Sequence, residues 1–349
     1  MVHGRIDLPS QISLSCRRKS SSFCTKANPT PPSMATKPSA DEEVAFESPM
    51  HFRIFKSGRI ERLNRPPVIP AGVDEATGVV SKDVVLDADT GLSVRVYLPK
   101  LQDASKKLPV LVFFHGGAFL IESAGSATYH NYVNPLAAAA GVLAVSVDYR
   151  LAPEHPLPAA YEDAWAALRW AASAQDDWIA AHGDVSRLFV AGDSAGGNIA
   201  HDMLVRASAA AAGGAPRIEG AILLHPWFGG SAPLDGEPEG GPAASAALWG
   251  YVCPGAVGGA DDPRMNPLAP GAPALEKLGC ARMLVCAGKK DALYPRDRAY
   301  YEAVAASGRR GSVEWLESEG EEHVFFLGKP ECENAKLLMD RVVAFIAGA

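Results

Sequence analysis

Four segments of this 349-residue chain carry residue types that could do chemistry together. The first is Gly192-Asp193-Ser194-Ala195-Gly196, between an apolar run, Leu188–Ala191, and a helical pattern, Ala195–Ala209. In a strand–turn–helix setting a G-x-S-x-G turn is sharp enough to lift the serine hydroxyl above a sheet edge. Small residues two before and two after the serine let the strand and helix approach without a Cβ clash. The helix N-terminus then supplies N–H groups and a positive dipole end for a developing oxyanion. Ser194 is therefore the candidate nucleophile.

The second segment, His115-Gly116-Gly117-Ala118-Phe119, follows the apolar run Pro109–Phe114. Two glycines leaving a strand allow the backbone to bend so that successive N–H groups point into a cleft. An acyl-transfer transition state needs such donors, each worth about 2.7–4 kcal/mol when aimed at the oxyanion. Gly116 and Gly117 are the expected donors, joined by the N–H of Ala195. His115 is expected to orient this loop rather than to act as a base.

A serine hydroxyl needs a histidine to take its proton and a carboxylate to orient that histidine. In folds with this nucleophile turn the chain order is Ser, then Asp or Glu, then His. Asp291 follows the run Met283–Ala287, while the competing carboxylate, Asp297, falls in a helical pattern and is expected to face solvent. His323 is the one histidine after His225 and lies in a loop before the C-terminal helix. Ser194, Asp291 and His323 form the expected triad.

Those residues must be held by a scaffold, and the hydrophobic pattern describes one. Val84–Leu86 and Leu92–Tyr97 flank Asp87–Gly91 as a hairpin. Short apolar runs follow at Pro109–Phe114, Val142–Val147, Leu188–Ala191, Ala221–Leu224, Met283–Ala287 and Val313–Leu316. Helical patterns lie between them at Tyr129–Ala140, Leu157–Ala174, Ala195–Ala209 and Arg296–Ala306, with Cys332–Ile346 after the last run. Strands buried on both faces and alternating with helices predict an α/β fold, a mostly parallel sheet covered on both sides. The Gly-, Pro- and Ala-rich stretch Phe228–Leu278 interrupts this rhythm at the carboxyl end of a strand, where such folds bind ligands. It is expected to form a cap with helix around Ala243–Tyr251. Trp227, Phe228, Trp249, Tyr251 and Phe325, with Phe326, are expected to shape the substrate pocket.

Composition excludes other classes. With 33 basic against 40 acidic residues the chain has no electrostatic footprint for nucleic acid. Its longest run of apolar and small residues, Leu136–Val147, is too short to span a membrane. The six cysteines show no CxxC spacing, as expected of a reducing compartment. No metal or other cofactor is expected. Residues 1–40 hold six Lys or Arg and one acid, are Ser-rich and lack an apolar secretory core. They are expected to be a disordered leader or a plastid transit peptide rather than an export signal. Translation from Met34 would leave a cytoplasmic protein. The folded domain is expected over 41–349.

Residues 41–347 resemble plant carboxylesterases of the hormone-sensitive-lipase branch of the α/β-hydrolases, a branch that includes the gibberellin receptors. The resemblance rests on His115–Phe119, Asp148-Tyr-Arg-Leu-Ala-Pro-Glu-His-Pro-Leu-Pro158, Gly192–Gly196, Asp291-Ala-Leu-Tyr-Pro295 and the His323 loop. Phe52–Arg62 is similar to that family's N-terminal lid. The resemblance implies the α/β-hydrolase fold, the triad and oxyanion donors named above, and a cap from roughly 41–80 and 228–278. It also implies three activities: hydrolysis of small carboxylic esters, lyase or lactone-forming acyl transfer of the 2-hydroxyisoflavanone dehydratase or tuliposide-converting type, and non-catalytic hormone binding. The last accompanies loss of the triad histidine in the receptors, whereas His323 is present here.

Overall fold

The computed structural model describes residues 43–348 apart from 49, 50, 64, 104, 211 and 212. The expected leader, 1–40, and the first two residues of the expected cap lie outside the described residues.

Three short strands, β1 (Val44–Ser48), β2 (Phe52–Phe55) and β3 (Ile60–Arg62), form a small antiparallel sheet. β4 (Val80–Asp87) and β5 (Leu92–Leu98) then make the expected hairpin. After it run β6 (Leu108–Phe114), α1 (Ala127–Ala140), β7 (Leu143–Asp148), α2 (Ala159–Ala172) and α3 (Asp177–His182). Next come β8 (Gly183–Asp193), α4 (Ala195–Ala209), β9 (Ile218–Leu224) and α5 (Gly241–Val252). The chain continues through β10 (Cys280–Gly288), α6 (Tyr294–Ala306), β11 (Ser312–Ser318), α7 (Phe325–Gly328) and α8 (Glu333–Ala347).

The main sheet has eight strands in the order β11-β10-β9-β8-β6-β7-β5-β4. From β7 to β11 every neighbouring pair is parallel, and the β4–β5 and β5–β7 pairs are antiparallel. Side chains alternate between two hydrophobic cores. Val110, Val112 and Phe114 of β6, Leu188 and Val190 of β8, and Met283 and Val285 of β10 pack on one face with residues of α2, α4 and α6. Leu111, Phe113, Phe189, Ala191, Leu284 and Cys286 pack on the other with α1 and α8. The period-2 geometry of a strand buried on both sides explains why these runs are continuously apolar.

The winding reverses between β8 and β6, because β7 lies on the far side of β6 while β8, later in the chain, lies on the near side. Such a switch point leaves a crevice at the carboxyl ends of the strands. The loops after β6, β8, β9, β10 and β11 carry His115, Ser194, His225, Asp291 and His323 respectively.

The structure adds elements that the hydrophobic pattern did not predict. β1–β3 fold where only a lid-like segment was expected, and α3 follows α2 after Asp176 caps it by accepting from the N–H groups of Trp178 and Ile179. The interrupting stretch contains α5, close to the expected helix, with fully buried Trp249 and Val252 on its inner side.

Candidate active site

Ser194 sits at the junction of β8 and α4 with φ +51° and ψ −117°, a backbone conformation that strains a residue bearing Cβ. Close packing imposes it. A Cβ on Gly192 would lie 2.3 Å from the carbonyl oxygen of Gly196, and one on Gly196 would lie 1.9 Å from that of Phe114. Gly196→Ala is therefore expected to push α4 off β6. The overpacking should cost about 1–3 kcal/mol of stability by urea melt. It should also cut kcat/KM by roughly 100-fold, the effect of misplacing a nucleophile by about 1 Å.

Ser194 Oγ lies 2.9 Å from His323 Nε2, and His323 Nδ1 lies 2.7 Å from Asp291 Oδ2. The three expected side chains are thus brought into one hydrogen-bonded line. Burial works against the charge on Asp291. The charge of His323 and the hydrogen bonds from His225 and His323 outweigh it and hold the carboxyl well below its usual range. An ionised carboxylate only accepts, so His323 presents Nδ1–H to it and leaves Nε2 free to accept from the serine hydroxyl. Burial lowers the basicity of His323, but the Asp291 charge and hydrogen bond prevail, so its pKa lies above 6.5. The other carboxylate oxygen accepts the N–H of Leu293 at 2.9 Å.

The backbone after β6 turns through three consecutive left-handed residues, Gly117 (φ +103°), Ala118 (φ +56°) and Phe119 (φ +62°). The expectation for Gly116 is corrected here. Its N–H is directed at Tyr129 Oη (2.7 Å) and Asp193 Oδ1 (3.1 Å), because the buried Asp193 carboxyl lies beneath the loop and takes that donor. Tyr129 Oη in turn donates to Asp193 Oδ2 at 2.8 Å. Burial pushes the Asp193 carboxyl up to about 7, against the opposing hydrogen bonds from Tyr129 and Gly116 and the charge of His323.

The next two amides face the other way. The Gly116 carbonyl points toward His115 Nδ1 (2.7 Å) and Tyr149 Oη (3.4 Å). In a planar trans peptide the N–H of Gly117 then points opposite. The Gly117 carbonyl accepts from Leu120 and Ile121, which turns the N–H of Ala118 away from those amides. Gly117 and Ala118 line the cavity that holds Ser194, and Ala195 begins α4 with an N–H that the helix itself cannot satisfy. The candidate oxyanion donors are therefore Gly117, Ala118 and Ala195. Ala118 was missed in the sequence because nothing in its residue type marks a backbone donor. His115 is buried and stacks on Tyr149 at 4.2 Å between ring centroids, and burial holds its ring neutral.

The cavity holds about 690 Å³. Phe46 and Phe52 of the small sheet, Leu248 of α5, and Phe325 and Leu327 of α7 give it apolar walls. Ser48, His51, Glu122 and Thr128 give it a polar side. Of the expected pocket residues, Phe325 lines this cavity, whereas Trp227, Phe228, Trp249, Tyr251 and Phe326 do not. Trp227 donates to Ser245 Oγ, and Phe228 packs on Tyr300 and His201. Trp249 is fully buried beside Trp227, and Tyr251 donates to the carbonyl of Gly58. Trp249 and Phe228 are anchored in the body, Tyr251 ties α5 to the small sheet, and none of these side chains lines the Ser194 cavity.

Asp297 also departs from expectation. It is fully buried, since Asp297, Tyr300 and Val304 share the inward stripe of α6. Burial, with a further push from the Asp291 charge, holds its carboxyl well above the usual range. His225 is the residue sequence reasoning passed over. Its Nδ1 lies 2.7 Å from the same Asp291 Oδ2 that serves His323. The available signal was its place at the carboxyl end of β9, directly beside the nucleophile strand.

His225, Asp291 and His323 are also the group of side chains, among the described residues, close enough to hold a metal ion. Their 2.7 Å separations are those of shared protons. Two ligands about 2.0–2.1 Å from one tetrahedral ion stand farther apart than this.

The profile of a family described as having the alpha/beta hydrolase fold matches residues 111–327. The chain belongs to the α/β-hydrolase family. It is 46% identical over 324 residues to a 2-hydroxyisoflavanone dehydratase of Glycyrrhiza echinata, covering 89% of this chain and 99% of that one. It is 46% identical over 337 residues to the chloroplastic tuliposide A-converting enzyme 1 of Tulipa gesneriana, covering 93% and 84% respectively. Among solved structures, a Pyrobaculum calidifontis esterase superposes with a TM-score of 0.62 at 29% identity, covering 76% of this chain and 84% of the esterase. A thermostable esterase from Pseudomonas putida gives a TM-score of 0.65 at 26% identity, covering 79% and 84%. The resemblance to plant carboxylesterases of this fold holds.

Proposed function

We propose that the protein is a serine carboxylesterase that cleaves small carboxylic esters through an acyl-enzyme on Ser194. The observation that carries the proposal is the continuous line from Ser194 Oγ through His323 to Asp291, at 2.9 and 2.7 Å. His323 Nε2 takes the hydroxyl proton as Oγ attacks the ester carbonyl. The N–H groups of Gly117, Ala118 and Ala195 hold the oxyanion. Asp291 stabilises the imidazolium, which then returns its proton to the departing alcohol. Water activated by the same nitrogen releases the acid. The N-terminal strands, within 41–80, and the 228–278 stretch act as the cap, supported by the meeting of Phe46, Phe52 and Leu248 around one cavity.

The pH profile tests the base. Catalysis needs neutral His323, and the negative Asp291 favours the imidazolium, so more alkaline solution is needed to free Nε2. On a p-nitrophenyl ester, kcat/KM should rise with pH through a pKa above 6.5, the ordinary imidazole value. A rise centred below that value would contradict the assignment.

A second reading is favoured by the relatives named a dehydratase and a tuliposide A-converting enzyme. The same triad would then pass the acyl group to a hydroxyl within the substrate, or catalyse elimination, without water entering. Turnover in ¹⁸O-labelled water separates the two. A labelled acid product supports hydrolysis, and an unlabelled product supports the internal reaction. A plastid location is proposed from the basic, Ser-rich residues 1–40 and the chloroplastic and amyloplastic relatives. No helix among the described residues is long and apolar enough to cross a membrane.

A further inference from the structure

One carboxylate oxygen in this site serves two imidazoles. Asp291 Oδ2 lies 2.7 Å from Nδ1 of His323 and 2.7 Å from Nδ1 of His225. The two rings are 5.7 Å apart and nearly perpendicular. The His225 side chain is only 1% exposed, against 35% for His323. Phe325 and Phe326 cover it, at 5.8 and 5.9 Å between ring centroids. Its Nε2 has no hydrogen-bond partner among the described residues.

His225 also holds a left-handed backbone, φ +48°, a conformation few non-glycine residues adopt without compensation. Its N–H donates to the Cys286 carbonyl at 2.7 Å, and the backbone on either side of the β9 exit is tied to the nucleophile turn as well. Ser194 N–H donates to Leu224, and Trp227 N–H donates to Ser194. The strained turn therefore places the ring on Asp291 and the β9 exit on the nucleophile turn at once.

We infer that His225 is a positioning residue for the reaction, a neutral donor that fixes the Asp291 carboxylate and takes a share of its charge. The inference rests on the triad reading given under Proposed function. An ionised carboxylate accepts only, so Nδ1 of His225 carries the proton. The Gly288 N–H, 3.4 Å from that nitrogen, is a distant neighbour rather than a competing donor. A protonated Nε2 would be a buried donor facing no acceptor, so the ring stays neutral. The titratable groups facing His323 are then Asp291, Asp193 below the serine turn, and this neutral His225. Sharing Oδ2 weakens the pull of Asp291 on the His323 imidazolium, and so keeps Nε2 available to the serine in less alkaline solution.

The test compares His225→Leu, which keeps bulk and loses the donor, with His225→Asn, whose amide can still donate to Oδ2. The Leu variant should lower kcat roughly 10- to 100-fold, the factor that loss of an outer hydrogen-bond partner costs at metal-bound histidines. KM should change little, and the acid limb of kcat/KM should move to higher pH. The Asn variant should recover most of both. A folded Leu variant with kcat and acid limb unchanged would overturn the inference, as would a lower kcat with an unmoved limb, which marks a merely structural role.

Proton NMR of the wild-type protein decides the hydrogen bond even if the Leu variant fails to fold. Two far-downfield imidazole N–H resonances are expected, and a single one overturns the inference. Absence of Ser194-dependent turnover in wild type would remove the functional reading, while the resonances would still report whether His225 holds Asp291.

Discussion

Ser194→Ala should lower kcat on p-nitrophenyl esters by on the order of 10⁶-fold, leaving only what the oxyanion donors and binding supply. The reason is geometric as well as chemical. The hydroxyl lies 2.9 Å from His323 Nε2, in the cavity that Gly117 and Ala118 also line. Water entering the truncated site has no such fixed pose. Stability should change by no more than about 0.5 kcal/mol, because alanine keeps the Cβ that already tolerates φ +51° and no buried partner loses its hydrogen bond. His323 is partly exposed, so its Nε2 can turn to solvent. A steady-state assay with a urea melt on the same preparation checks both halves. A variant that keeps its rate places the nucleophile elsewhere.

His323→Ala should lose a comparable factor, and the double variant with Ser194→Ala should be no slower than either alone. Nucleophile and base act as one unit, so removing the second member costs little once the first is gone. Folding should survive because Asp291 keeps two donors, His225 Nδ1 and the Leu293 N–H. The ring being replaced is about a third exposed, so added imidazole can reach the gap and should restore part of the rate. Additive losses in the double variant would show that His323 and Ser194 act on separate steps. A rate near wild type would mean that another group takes the serine proton.

Much of this arrangement is legible before any coordinates. The alternation of continuous apolar runs with helical patterns specifies the covered parallel sheet, because each strand must satisfy two cores. Gly192 and Gly196 announce a tight turn around Ser194, and chain order together with position after an apolar run singles out Asp291 and His323. Other features depend on contacts that no local pattern encodes. The Gly116 N–H is taken by Tyr129 and Asp193, the former 13 residues away and the latter 77. The direction of the Gly117 and Ala118 amides follows from carbonyls anchored by His115, Leu120 and Ile121, so backbone orientation, not residue type, selects the donors. Trp249 and Asp297 lie on helices of weak amphipathic character, where residue type misstates which side faces in. His225 reads in the sequence as an ordinary histidine after a strand, and only the β9–β10 pairing brings it to Asp291.

The central claim is a covalent bond to one oxygen. Mixing the protein with a p-nitrophenyl ester, quenching in acid within the first turnovers and mapping the digest by mass spectrometry tests it most directly. The account expects the acyl mass on the peptide containing Gly192–Gly196, localised to Ser194, with a matching burst of p-nitrophenolate. Rapid turnover in wild type with no adduct on Ser194, or with the adduct on another residue, would contradict it.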